Sequence, residues 1–158
     1  MGFRKGQGAS EYLILLAVVL VVGMVAVTLL GGFTSMGGDA RTKESKQYWA
    51  AANPFAITES SQQGSMFYVT LQNTEPDRLI LYNITLSDNT GNITYSPPSG
   101  ISFKGGQART LNFTALRTCD ATTYDFFEYG IKITYSSLDI ADKAQLGSKL
   151  IIGSCVPS

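Results

Sequence analysis

Residues 126–136, with the sequence FFEYGIKITYS, determine the class of fold that we expect. Within them, IKITYS alternates apolar and polar side chains, and this period of two is typical of a strand with one buried face. The aromatic and β-branched residues of the stretch also favour strands. The stretch therefore predicts a half-buried β-strand in the C-terminal part of the chain.

Other short stretches of the C-terminal part share this composition. Each is rich in Ile, Val, Thr, Tyr or Phe, and Pro, Gly, Asn or Asp separates it from the next. They read MFYVTLQN (66–73), LILYNITL (79–86), NITY (92–95), ARTLNFTA (108–115) and KLIIGSCV (149–156). Six or seven such strands over about a hundred residues predict a small immunoglobulin-like β-sandwich, which we place at residues 53–158.

The N-terminal part has a different pattern, a long apolar run at residues 12–30. The run, YLILLAVVLVVGMVAVTLL, contains no charged residue and no Asn, Gln or Pro. At about 1.5 Å per residue it approaches the roughly 30 Å thickness of a bilayer core, so we expect a membrane-inserted helix. Arg4 and Lys5 precede the run and no basic residue follows before Arg41, which predicts a cytoplasmic N-terminus before assembly.

A glycine-rich break and a polar stretch lead from this run to the β domain. The break, GGFTSMGG, covers residues 31–38, and the polar stretch, DARTKESKQYWAAA, covers residues 39–52. Pro54 is expected to end the helical extension, because the residue before proline is disfavoured in the α region. The expected fold class is therefore α+β, with a long N-terminal hydrophobic helix within residues 7–52 and a C-terminal all-β, immunoglobulin-like sandwich after it.

The junction before the apolar run has a specific order of residues. Lys5 and Gly6 come first, the short stretch from Gln7 to Ser10 follows, and Glu11 lies directly before the run. This order resembles the class III signal peptide of archaeal type IV pilins, and the resemblance covers residues 1–30. It implies that a prepilin peptidase cuts between Gly6 and Gln7 and so removes residues 1–6 as the signal peptide.

Glu11 would then be the fifth residue of the mature chain. The new α-amine of Gln7 and the carboxylate of Glu11 are four residues apart, so they share one helix face. An ionised carboxylate costs about 2.5–3.5 kcal/mol at a bilayer centre, and we expect Glu11 to favour a filament core and to set axial register there. The alternative is that Glu11 is an interfacial residue at the start of a permanent membrane anchor, because the N-terminus of a helix favours an acidic side chain.

Two further sets of residues are typical of an exported domain. Cys119 and Cys155, the two cysteines of the chain, are far apart in the sequence and belong to no CxxC pattern, which predicts one disulfide in an exported protein. Two buried free thiols are the alternative. Asn83, Asn92 and Asn112 each begin an Asn-X-Thr sequon without proline and are candidate N-glycosylation sites.

The amino-acid composition argues against several classes of function. The chain contains no histidine, so it lacks the commonest general base and the commonest metal ligand. We therefore expect neither an enzyme nor a cofactor or metal. Lys and Arg number 12, as do Asp and Glu, and no basic cluster occurs, so we expect no nucleic-acid partner.

We therefore expect a structural subunit, a major or minor pilin, of an archaeal type IV pilus-like filament at the cell surface that serves adhesion. Helices would bundle in its core, with β domains outside. The resemblance implies further copies in a helical homopolymer, the prepilin peptidase, an assembly ATPase and a membrane platform as partners, with insertion in the cytoplasmic membrane before assembly. Two alternatives stay open, a membrane-tethered binding module for sugar or surface-layer ligands and an archaellin of a swimming filament.

Overall fold

The computed structural model describes residues 7–29, 34–120 and 126–156, with side chains described for residues 11–26 and from residue 40 onward within these ranges. The chain divides into two compact units, Met1–Ala40 and Arg41–Ser158. We call the second the β unit. The sequence predicted the start of the β domain at residue 53, whereas the β unit includes the end of the preceding helix.

Two helices precede the strands. Helix α1 covers Gln7–Leu29, and helix α2 covers Thr34–Ala50. Every residue from 11 to 26 in α1 is exposed. In the part of the chain that the structure describes, neither helix combines the length and the apolarity that crossing a membrane demands.

Eight strands form one sheet. Its path is β3-β2-β6-β8-β1-β5, with β4 also paired to β2 and β7 also paired to β6. The strands are β1 Phe55–Asn73, β2 Leu79–Asp88, β3 Gly91–Tyr95, β4 Ile101–Phe103, β5 Ala108–Cys119, β6 Phe126–Ser136, β7 Lys143–Leu146 and β8 Ile151–Val156.

Strand β1 folds back on itself. The backbone N–H of Thr74 donates to the carbonyl of Pro54 at 2.8 Å, and the Thr58 hydroxyl contacts the carbonyl of Thr70 at 3.4 Å. A straight strand would separate Pro54 from Thr74 by more than about 60 Å. The chain therefore turns at Gly64, whose φ of +54° suits glycine. The first arm (55–62) runs parallel to β8, and the second arm (66–73) runs antiparallel to β5.

Strand β6 changes partners along its length. Its first residues, Phe126 to Tyr129, pair with β8. Its later residues pair with β7 on one edge and with β2 on the other. At the far ends of the sheet, Tyr95 in β3 and Phe113 in β5 stack with ring centroids 4.9 Å apart. The sheet therefore curves until its two ends almost meet.

The core of the β unit fills this curved sheet. Phe67 is fully buried, and its ring contacts three other aromatic rings, those of Phe113, Phe127 and Tyr129, at centroid distances of 5.4–5.9 Å. Trp49 of α2 is 1% exposed and belongs to the same core. Inward apolar side chains alternate with outward polar ones, as in Leu111, Asn112 and Phe113.

The expected fold class is wrong. The described chain is mainly β, and two separate helices replace the one long hydrophobic helix that we expected to cross a membrane. The strands form one continuous, nearly closed sheet, whereas an immunoglobulin-like sandwich has two separate sheets. The physical reason is β6, which pairs with β8 at one end and with β2 over the rest, and so joins edges that a sandwich keeps apart.

Candidate functional site

The candidate site for assembly is the apolar segment, which we define as residues 11–26. Its large side chains are exposed to similar extents all round the helix, from 46% for Leu16 to 74% for Met24. Covering a Val or Leu side chain releases about 1.5–3 kcal/mol. Contiguous apolar surface of this kind marks an interaction site.

One face of the apolar segment forms a shallow groove. Residues that recur at intervals of three and four lie on the same side of a helix. The groove has a volume of ≈ 320 Å³ and is lined by Ile14, Ala17, Val18, Val21 and Val22. A second feature is Gly23, where an added Cβ would meet no atom within 4 Å. Small residues permit close approach of another helix, so this surface suits helix packing.

The predicted processing and register residues lie at the start of the segment. Lys5 and Gly6 lie outside the described residues, and Gln7 is the first residue of α1. Glu11 is exposed and forms no ion pair with any residue that the structure describes. Cleavage at Gly6–Gln7 and the register role of Glu11 stay predictions.

The predicted disulfide is confirmed. Cys119 at the end of β5 is bonded to Cys155 in β8, with a Cα–Cα distance of 5.6 Å. Both cysteines are buried, at 7% and 9% exposure. The bond therefore links the last strand of the chain to β5 on the other side of β1.

The three candidate glycosylation sites differ in exposure. Asn92 on β3 and Asn112 on β5 are exposed, and each has its sequon threonine two residues later on the same outward face. Asn83 is half-buried on β2, opposite Thr134 of β6. Access for a glycan is therefore best at Asn92 and Asn112, and occupancy of all three sites stays a prediction.

Within the β unit, the last turns of α2 are fixed to the strands, a contact that the sequence did not predict. The Ser45 hydroxyl donates to the carbonyl of Leu150 at 2.8 Å and accepts from the N–H of Ile152 at 3.0 Å. Ion pairs join Arg41 to Glu128, with 3.0 Å between Nη1 and Oε1, and Glu44 to Lys149.

Two aromatic residues of α2 could have indicated this contact. Tyr48 accepts a hydrogen bond from the N–H of Ser148 at 2.9 Å, and this bond lowers the pKa of its hydroxyl. Trp49 packs over Gly147, where a Cβ would lie 2.2 Å from the indole ring. A tryptophan in an otherwise polar helix is the sequence signal, because so large an apolar side chain is seldom left in water.

A polar cluster lies at the end of β2 beside the disulfide. Asp88 pairs with Arg117, with 2.6 Å between Oδ2 and Nε. Burial raises the pKa of the Asp88 carboxyl, but hydrogen bonds from Thr90 and Gly91 and the Arg117 charge outweigh it, and the pKa falls below its ordinary 3.8.

The same cluster continues into the core. The Tyr129 hydroxyl donates to Gln62 Oε1 at 2.9 Å, and burial raises the pKa of Tyr129. Gln62 is fully buried, and its side-chain amide donates to the carbonyls of Gly64 and Arg117. These partners satisfy Gln62 and Tyr129, whereas Asp88 Oδ2 has the Arg117 ion pair without a hydrogen bond among the described residues. The cluster therefore serves structure.

Metal-binding groups do not gather in the described ranges, where no cluster of three or more His, Cys, Asp or Glu side chains could hold an ion. Comparison with known proteins gives no family: no protein-family profile matches the chain, and no curated protein matches it. The N-terminal motif therefore carries the resemblance to pilins by itself.

Proposed function

We propose that this chain is a structural subunit of an archaeal type IV pilus-like filament that serves surface attachment. In this proposal a prepilin peptidase removes residues 1–6, and the apolar segments of many copies then pack against one another. The β units face the surroundings, and the disulfide stabilises them there. The observation that carries the proposal is the exposure of every residue from 11 to 26.

The contrast within the chain supports assembly over other ways of covering this surface. The β unit already has a buried aromatic and aliphatic core of its own. The apolar segment, by contrast, presents apolar side chains all round, so a single neighbour would cover only one side of it. Several identical helices cover all sides, and a head-to-tail contact between copies that does not close into a ring produces a filament.

The experiment compares two matched variants in cells that produce the chain. Val21→Asp places a charge in the apolar segment, where Val21 is 63% exposed, and Leu138→Asp places the same charge at a position of the β unit that is 69% exposed. We expect surface filaments, sheared off and viewed by electron microscopy, to be lost with Val21→Asp and retained with Leu138→Asp. Filaments at normal yield from Val21→Asp would overturn the proposal.

Processing is tested on the same sheared material by intact-mass measurement. We expect the mass of residues 7–158 less two hydrogens for the disulfide, with glycan mass added wherever a sequon is occupied. A surface form that still carries Met1 would contradict removal of residues 1–6 by a prepilin peptidase.

A further inference from the structure

A polar groove lies on the β unit, between α2, the two arms of β1 and the start of β8. Its volume is ≈ 330 Å³, at the lower end of the range for small-molecule pockets. Polar side chains from three of these segments border it, among them Lys46 of α2, Glu59 and Ser60 of the first arm, and Tyr68 of the second arm.

Some polar side chains of this groove have no partner within the part of the chain that the structure describes. Other polar side chains of the groove are already bonded: Ser45 bonds Leu150 at 2.8 Å, and Thr70 bonds Thr110 at 2.9 Å. Four side chains of the groove, by contrast, have neither a side-chain hydrogen bond nor an ion pair to any described residue: Lys46, Glu59, Ser60 and Tyr68.

A buried donor adds to this unused capacity. Trp49 forms part of the groove wall and is 1% exposed. Its indole N–H has no acceptor among the described residues. A buried donor without an acceptor costs about 1–3 kcal/mol, and Trp49 carries this cost next to the groove.

The chemistry of the groove indicates the class of ligand. One ammonium and one carboxylate balance each other, so the groove attracts neither anions nor cations strongly. Hydroxyl groups, a carboxylate and an ammonium can bond several neighbouring hydroxyls of a ligand at once. The half-buried ring of Tyr68 offers an apolar surface for C–H groups. A sugar ring combines these two features, because it has C–H faces and a rim of hydroxyls.

We propose that this groove binds a short, neutral oligosaccharide. The proposal is independent of the filament proposal, since every residue of the groove belongs to the β unit. With this groove, the β unit would recognise a ligand. The exposed side chains of Glu59 and Lys46 would bond the ligand hydroxyls, and the ring of Tyr68 would lie under a sugar ring.

The test is a binding measurement on the full chain, held in a zwitterionic detergent that has no sugar head group. The probes are glucose, galactose, mannose, N-acetylglucosamine and their β1,4- and α1,4-linked disaccharides. Saturation-transfer NMR detects binding of each sugar, and titration calorimetry measures its affinity. We expect at least one of these sugars to bind. Binding by none of them overturns the proposal.

Variants then locate the site. Glu59→Gln removes the charge of an exposed side chain without removing its volume, and Tyr68→Ala removes the ring. We expect each to weaken binding of the selected sugar about tenfold or more, the effect of losing about 1.4 kcal/mol. Tyr82→Ala, at another tyrosine, 37% exposed and outside the groove, is the matched control and should leave affinity unchanged.

Two outcomes contradict the assignment. Equal sugar affinity in Glu59→Gln and in the unchanged chain would place binding elsewhere. Preferential binding of short uncharged peptides, with the same dependence on Glu59 and Tyr68, would make the groove a peptide site. Normal filament yield from Val21→Asp, which would overturn the filament proposal, has no bearing on either result, so the two proposals fail separately.

Discussion

The apolar segment and the core of the β unit contain the same kinds of side chain in opposite surroundings. Leu20 in the apolar segment is 66% exposed, whereas Leu81 in the β unit is fully buried. Curvature of the sheet explains the second case, because strands from distant parts of the chain enclose each inward side chain. A single helix cannot enclose its own side chains.

The difference shows where each region gains its stability. The β unit gains it from its own chain, through burial, the disulfide and the contacts of α2. The apolar segment can gain it only from surroundings outside its own helix. Substitutions that remove apolar volume should therefore lower the free energy of unfolding in one region and leave it unchanged in the other.

The largest effect should come from the centre of the aromatic core. Phe67→Ala leaves a cavity among three rings, and we expect a loss of about 3–5 kcal/mol in the free energy of unfolding. Leu20→Ala, in the apolar segment, should change it by less than about 0.5 kcal/mol. Urea unfolding in detergent, followed by fluorescence of Trp49, the single tryptophan, measures both. Equal losses would remove the distinction between the two regions.

The disulfide should have the next largest effect. The double variant Cys119→Ser with Cys155→Ser opens a loop with a sequence separation of 36. We expect the β unit to lose roughly 3–4 kcal/mol of stability through the greater entropy of the unfolded chain. The unchanged chain, unfolded in a thiol reductant, is the control and should show the same loss. A loss below about 1 kcal/mol in either sample would contradict the estimate from chain entropy.

The smallest of the three effects should come from Asp88. Asp88→Asn removes the charge that pairs with Arg117 and should cost about 1–2 kcal/mol near pH 7. Because folding lowers the Asp88 pKa, its stabilisation is present above the ordinary value of 3.8 and is lost as the pH falls through the folded value. The difference in unfolding free energy between the variant and the unchanged chain should therefore shrink as the pH falls below 3.8.

Urea unfolding at several pH values measures this dependence. Asp139→Asn, at an exposed position of the loop between β6 and β7, is the control and should have little effect at any pH. A cost for Asp88→Asn that stays constant from neutral to acid pH would show that the ion pair and its hydrogen bonds are not the source of the stabilisation.

Much of the strand pattern was predictable, because local alternation and composition decide it. The stretches at 66–73, 79–86 and 126–136 all lie in strands, and the disulfide has the predicted partners. The first arm of β1 was missed: residues 55–62 include Glu59, Ser60 and Ser61 and carry no clear alternation. The short strand β7 was missed for a similar reason, since Lys143 to Leu146 hold few strand-forming side chains.

The candidate sites also include some that local sequence predicts and one that it does not. The apolar segment and the sequons are continuous in the sequence, so composition was enough to find them. The polar groove was not predictable, because its lining comes from α2, both arms of β1 and β8, which only folding brings together. The contact of α2 with the strands was not predictable from local pattern, because residues 39–52 are mainly polar and Trp49 packs over Gly147, which is far away in the sequence.

By itself, the sequence determined most of the strand segments, the cysteines that pair and the helix that is apolar, because these properties depend mainly on local composition and pattern. Tertiary structure decided that the strands form one curved sheet, that β1 turns back at Gly64 and that the last turns of α2, from Arg41 onward, belong to the β unit. The physical reason is that β6 pairs with β2, β7 and β8, whose edges include some that are far from β6 in the chain. Hydrophobic alternation specifies which face of a strand is buried, but it does not specify the partner strand.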